Sequence, residues 1–140
     1  MGSVTLTGLY TGLYSKLAGG TALTSLIGGT VAPRIYNKLA PDEAVFPFVL
    51  FSQQAGGPMN INPSELTENI IFVRAWGETD ASARAVFDAV DGLLDKATLT
   101  ISGYTNLWCA RETDLDNVET LPDGTRRIMY GGLYRIQTDK

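Results

Sequence analysis

Along the first part of the chain, Leu6, Leu9, Tyr10, Leu13, Tyr14 and Leu17 recur at i, i+3, i+4, i+7, i+8 and i+11. That is the apolar stripe of an amphipathic helix. Gly8 and Gly12 fall inside it. Each weakens a helix by about 1 kcal/mol relative to alanine, so the element needs tertiary support. Gly19-Gly20 supplies the stop, and a short second turn from Thr21 to Ile27 ends at Gly28-Gly29 in the same way. Leu23, Leu26 and Ile27 form its core-facing side. The best helix comes later, from Asp80 to Thr98, where Val86, Val90, Leu93, Leu94 and Ala97 share one side of a wheel of about 100° per residue. Thr79 or Asp80 is its N-cap.

The pattern switches to strands between and after these helices. Pro33 to Asp42 reads as a loop with a short extended piece at Arg34-Ile35-Tyr36. Pro47 to Gln54 is a strand whose Phe48, Val49, Leu50 and Phe51 are apolar on both faces. The run Gly56-Gly57-Pro58-Met59-Asn60-Ile61-Asn62-Pro63-Ser64 is dense in turn formers and longer than a tight hairpin requires. It predicts a protruding loop. Leu66 to Gly77 alternates, with Ile71, Val73 and Ala75 on one face and Phe72, Arg74 and Trp76 on the other. Leu107 to Asp114 and Arg126 to Thr138 read as two further strands, joined as a hairpin by the turn-prone stretch Asp116 to Gly124. Gly131-Gly132 interrupts the last strand and predicts a bulge or a close backbone approach. The expected fold class is α+β: a four-stranded, mainly antiparallel sheet, two main helices packed on one face, and a protruding loop.

Composition narrows the chemistry. At 140 residues and 15.1 kDa the chain suits one domain, 1–140. Hydrophobic residues at 44% support a packed core, and charged residues at 19% are too few for a disordered chain. Eleven bases against fifteen acids give 11 − 15 = −4, with a pI near 4.7. Nucleic-acid and membrane-surface binders need the opposite field. With no histidine, the commonest general base and every Ser-His-Asp arrangement are missing. One cysteine, Cys109, allows no internal disulfide and reads as a small buried hydrophobe. No apolar run reaches the ~20 residues of a membrane helix, and Met1-Gly2-Ser3-Val4 has no basic secretory start. The expectation is a protein that stays where it is made or is assembled from there.

The remaining features are charge and aromatic patterns. Asp88, Asp91 and Asp95 lie opposite the apolar stripe of the long helix. The plain reading is a solvated face. Yet the like charges repel at helical spacing, Asp95 sits near the negative end of the dipole, and Arg84 relieves only Asp88. Asp91 and Asp95 are therefore candidates for contact with a positively charged partner. Glu112, Asp114, Asp116, Glu119 and Asp123 crowd one segment without the glycine and closing glutamate of a calcium loop. It reads as a solvated hairpin loop. Trp76, Trp108, Tyr130 and Tyr134 on strands suggest core or subunit packing rather than base stacking, because the net charge opposes nucleic acid. The Gly-Gly pairs make no phosphate loop.

In order, four stretches resemble the tail-completion family of long-tailed bacteriophages, the tail terminator or tail-to-head joining proteins. They are the leucine-rich first helix with Leu23-Thr24-Ser25-Leu26-Ile27-Gly28-Gly29 and Arg34-Ile35-Tyr36, then the strand Phe46-Pro47-Phe48-Val49-Leu50-Phe51. Next come the strand end Ala75-Trp76-Gly77 with the helix Asp80-Ala81-Ser82-Ala83-Arg84-Ala85 through Leu93-Leu94, and a closing strand rich in arginine and tyrosine. The sequence departs from the family in its acidic 112–123 segment and its 56–63 loop. The resemblance implies helices on an antiparallel sheet and a structural virion protein with no reaction, no cofactor and no metal. It implies a homo-oligomeric, hexameric ring at the head-proximal end of the tail tube, made in the host cytoplasm and resident in the virion. The implied partners are the tail tube protein and the head-tail connector, with DNA only as passing cargo and no membrane. Gly56, Gly57, Pro58, Met59, Asn60, Ile61, Asn62 and Pro63, with Asp91 and Asp95, are the expected partner or subunit contacts. Another neck or head-completion connector is the alternative. A small enzyme or ligand-binding domain on a ferredoxin-like scaffold is the rival from a different class, and it lacks a catalytic vocabulary here.

Overall fold

The computed structural model describes residues 6–41, 44–58, 66–120 and 122–139. The first helix, α1, spans Leu6–Ala18, followed by a single turn, α2, at Thr21–Thr24. The strands are β1 (Ile35–Asn37), β2 (Phe48–Pro58), β3 (Thr67–Gly77), β4 (Thr105–Thr120) and β5 (Arg126–Asp139), with α3 (Asp80–Leu94) between β3 and β4. They form one five-stranded sheet in the order β1-β2-β3-β5-β4.

The α+β class holds, but the sheet differs from expectation. It is mixed, because Ile35–Asn37 pairs parallel with β2 as a fifth strand at the edge, Ile35 opposite Val49. A three-residue strand has no room to show a period, so sequence alone reads it as an extended piece of loop. The other pairings are antiparallel.

All three helices share one core with one face of the sheet. Leu9, Leu13 and Leu17 of α1 and Val86, Val90 and Leu94 of α3 are at most 1% exposed and cluster with Ile71, Val73 and Ala75 of β3. Tyr134 and Ile136 of β5 complete that face, both fully buried. Gly12 is what lets α1 come close. A Cβ there would lie 2.9 Å from the Thr100 carbonyl oxygen.

Thr79 caps α3 as expected, its hydroxyl accepting from the Ser82 N–H at 3.1 Å. The helix ends at Leu94, short of the anticipated Thr98. Asp95 is extended and Lys96 takes the left-handed conformation, φ 57°. Leu99 and Ile101, two apart, then bury their side chains from an extended segment. Spacing of two suits extended chain, not helix.

Two loop expectations are also corrected. Gly56-Gly57-Pro58 belongs to β2, paired with Asn69, Glu68 and Thr67 after a register shift between Gln53 and Ala55. Met59 to Ser64, where the protruding loop was expected, lies outside the described residues. The segment expected as a solvated hairpin loop is β4, which runs to Thr120 opposite Arg126. Only residues 121–125 remain to turn the chain. The Asp123 carboxylate there accepts from the Thr125 N–H at 2.9 Å, a bond that lowers its pKa, and Gly124 has φ 86°. Pairing with β5 overrides the polar composition, which an exposed edge strand tolerates.

At Gly131-Gly132 the close approach is present and the bulge is elsewhere. A Cβ on Gly131 would sit 2.8 Å from Phe72 Cε1, and one on Gly132 would meet Phe87 and Arg111 at 3.2 Å. The register with β3 runs unbroken there, while β4 shifts between Arg111 and Thr113.

Candidate assembly surfaces

Alternation along the strands sends every second side chain to the face without helices. On β3 these are Glu68, Ile70, Phe72, Arg74 and Trp76, all half-buried. Across the register lie Leu50 opposite Arg74, Leu133 opposite Phe72, and Met129 opposite Trp76. Aromatic packing closes one corner of this open face. Phe46 lies 5.0 Å and Tyr36 5.7 Å from Phe48, centroid to centroid, and Arg127 caps the Phe46 ring at 4.9 Å.

Two arginines on this face differ in their surroundings. Arg135 is clasped by carboxylates on both sides, Glu68 of β3 and Glu112 of β4, and Gln137 donates to Glu68 at 3.0 Å. Arg74 stacks 4.6 Å over Phe72 and donates from Nη to Ser52 Oγ at 3.3 Å. Its Nε is buried and without a partner among the described residues, and burial pulls its pKa down.

On the helix side, α3 stops short of covering the far half of β4. A cleft of ≈ 390 Å³ opens there, lined by Arg84, Phe87, Asp88, Arg111, Asp114, Asp116 and Tyr130 among others. Arg84 pairs with Asp80, one helical turn away, and the Tyr130 hydroxyl donates to the same carboxylate. Arg84 was expected to relieve Asp88. Its ion pair is with Asp80, and its pKa is raised first by the Tyr130 hydroxyl, then by Asp80, with Asp88 the smallest contributor.

Asp91 and Asp95 do not stand on a face empty of cations. Asp91 accepts from the Tyr134 hydroxyl at 2.8 Å and from Arg111 at 3.1 Å. Asp95 accepts from the Arg111 backbone N–H at 2.9 Å. Arg111 also reaches Asp114 at 2.8 Å. One arginine on β4 thus answers most of the charge that sequence spacing left unrelieved. Tyr134 is raised in pKa by burial first and by its bond to Asp91 second. Cys109 lies beneath, 1% exposed, its thiol pushed up to about 12 by burial and donating to the Leu94 carbonyl at 3.2 Å.

The expected contact residues therefore fall in two places. Asp91 and Asp95 join α3 to β4. Gly56, Gly57 and Pro58 continue β2, separated from β4 by β3 and β5, where a Cβ on Gly56 would lie 2.6 Å from the Asn69 amide nitrogen. Met59, Asn60, Ile61, Asn62 and Pro63 lie outside the described residues. From the sequence, Arg74 and Arg111 read only as bases beside strand aromatics, a nucleic-acid arrangement that the net charge opposes. The signal for Arg74 is a lone cation between Phe72 and Trp76 on the second face of a strand. For Arg111 the local signal is only Asp114, three residues on, since Asp91 and Asp95 are distant in the chain.

The edge strand β4 carries four exposed apolar side chains. Leu107, Trp108, Leu115 and Val118 are exposed on β4, with Val118 at 58%. Among the described residues no group of three or more histidine, cysteine or acidic side chains could hold a metal ion. No described helix is long and apolar enough to cross a membrane.

The family model of tail completion protein gp17 matches residues 11–130. No curated protein matches the chain. Among solved structures, a chain in the virion of a native gene transfer agent particle is similar over 99% of this chain and 100% of its own length. Its TM-score is 0.75 at 16% identity, a likeness of fold.

Proposed function

Because this chain belongs to the tail completion protein gp17 family, we propose that it caps the head-proximal end of a phage tail tube as a homo-oligomeric, hexameric ring. The family makes it a structural tail protein of the virion. The ring ends tube polymerisation and presents a surface to the head-tail connector, and the chain works in it as one domain. The observation that carries this reading is the family match across residues 11–130. The similar chain in a virion particle supports it at the level of fold.

The physical properties agree. A ring requires two different patches that close on each other. Here one sheet face is covered by helices and the other is open, with apolar and charged side chains side by side, so two unlike surfaces exist. A net charge of −4 suits a conduit along which DNA slides as cargo without sticking. Residues 56–63 make contact outside their own subunit, and Gly56–Pro58 end β2. Asp91 and Asp95 act on subunit contact through β4, which they position.

Electron microscopy of the purified protein, alone and with tube ends, tests the ring. Complementation of a deletion then reads tail length and head joining. Six-fold rings on tube ends and normal-length tails are expected, whereas particles joined normally without the protein reject the reading. For the loop, Met59→Ser with Ile61→Ser is expected to lower assembly, and full assembly with full activity removes the loop from the contact.

A further inference from the structure

Arg74 stands in the middle of the open sheet face, flanked in register by Leu50 and Gly131. Its only side-chain partners among the described residues are a hydroxyl, Ser52, and a ring, Phe72. It forms no ion pair there, and its Nε has no acceptor. The neighbouring Arg135 on the same face has two carboxylates. A cation drawn out of water without a carboxylate costs stability, and leucine or methionine would suit the isolated face better. The arrangement is uneconomical for a subunit that stays alone.

The complement is on the same molecule. On the helix side of distal β4, Asp116 borders the α3–β4 cleft, two residues from the exposed Val118. Asp116 forms no ion pair among the described residues, although Asp114 next to it does. Asp88, across the cleft, forms none either. Asp116 and Val118 lie in register with Tyr130 and Ile128, positions on the helix side of the sheet. Arg74 and Asp116, each without an ion pair among the described residues, are thus on opposite faces of one sheet. They cannot meet within a chain, and they can meet between successive copies in a head-to-tail ring.

We infer that the open face around Arg74 receives the distal half of β4 from a second copy of this chain, with Asp116 of that copy meeting the Arg74 guanidinium. The inference rests on the ring reading above. Apolar contact comes from Phe72 and Leu133 on one side and Val118 on the other. The arginine and the carboxylate fix the register, as charges at desolvated interfaces do.

The test uses the full chain with Arg74→Asp, Asp116→Arg and the double exchange. Mass by light scattering and images by electron microscopy are read with and without tube ends. Each single exchange is expected to lower the assembled fraction about tenfold, and the double exchange to recover most of it. Arg74→Met keeps the face apolar and guards against a variant that fails to fold. It is expected to melt at or above the parent's temperature under dissociating conditions while losing assembly. A parent that forms rings while Arg74→Met and Asp116→Arg assemble like it overturns the inference and leaves the ring standing. Loss in both single exchanges with no recovery in the double overturns the pairing of these two residues. A parent that forms no ring, alone or on tube ends, overturns both readings.

Discussion

Ile70 and Ile71 are neighbours in β3, yet they live in different environments. Ile71 points into the helix layer and is fully buried, whereas Ile70 points to the open face and is half-buried. The contrast extends across the sheet. On the covered face the charged groups near the core, Asp91, Asp95 and Arg111, find partners inside the chain. On the open face apolar side chains lie beside Arg74, whose Nε has none among the described residues. One face is finished by folding. The other has the makings of an interface, and this difference separates residues that hold the fold from candidates for assembly.

Breaking the covered face has the largest effect. Val90 is fully buried in α3, and Val90→Asp places a carboxylate within the hydrophobic cluster. It should cost about 4 kcal/mol, measured by urea denaturation with circular dichroism. A melt like the parent's would show that this side of α3 is not the core.

The isoleucine pair sharpens the contrast most directly. Ile71→Ala should cost about 3 kcal/mol and Ile70→Ala about 1 kcal/mol, read as shifts in denaturation midpoint at constant slope. Assembly should respond in the opposite order, with Ile70→Ala weakening ring formation more. Equal stability costs would mean that the open face is packed within the isolated chain after all.

Tyr134→Phe removes the hydroxyl that donates to Asp91 and leaves Arg111 as its partner. A loss of about 2 kcal/mol is expected, since the acceptor is charged. No loss would mean that Arg111 alone suffices to hold Asp91.

The smallest effect is a pH slope. The Cys109 thiol is raised to about 12 in the folded chain against an ordinary value of 9.0. Between those values the unfolded chain binds fewer protons, so stability falls as pH rises through the unfolded value. The contribution is about 1 kcal/mol by pH 10, and Tyr134, also raised, adds in the same direction. Cys109→Ala should flatten the decline between pH 8 and 10. Native protein should also resist thiol reagents until it unfolds, because the thiol is buried and neutral.

Local periodicity carried much of this architecture. The leucine stripe of α1, the Val86–Val90–Leu94 side of α3 and the alternation of β3 each encode which side is buried, because repeats of 3.6 and 2 are properties of one segment. The family resemblance followed from the order of those elements. What depends on partners distant in sequence was not legible. The parallel pairing of β1 rests on β2, and the full length of β4 rests on β5 holding its polar residues in register. The end of α3 is set by Leu99 and Ile101 reaching the core from an extended segment. Charge pairing was decided last of all. Arg111 meets Asp91 across two elements, while Arg74 meets no carboxylate among the described residues. A side chain's charge is written in the sequence, but its partner is set by which faces the tertiary structure brings together.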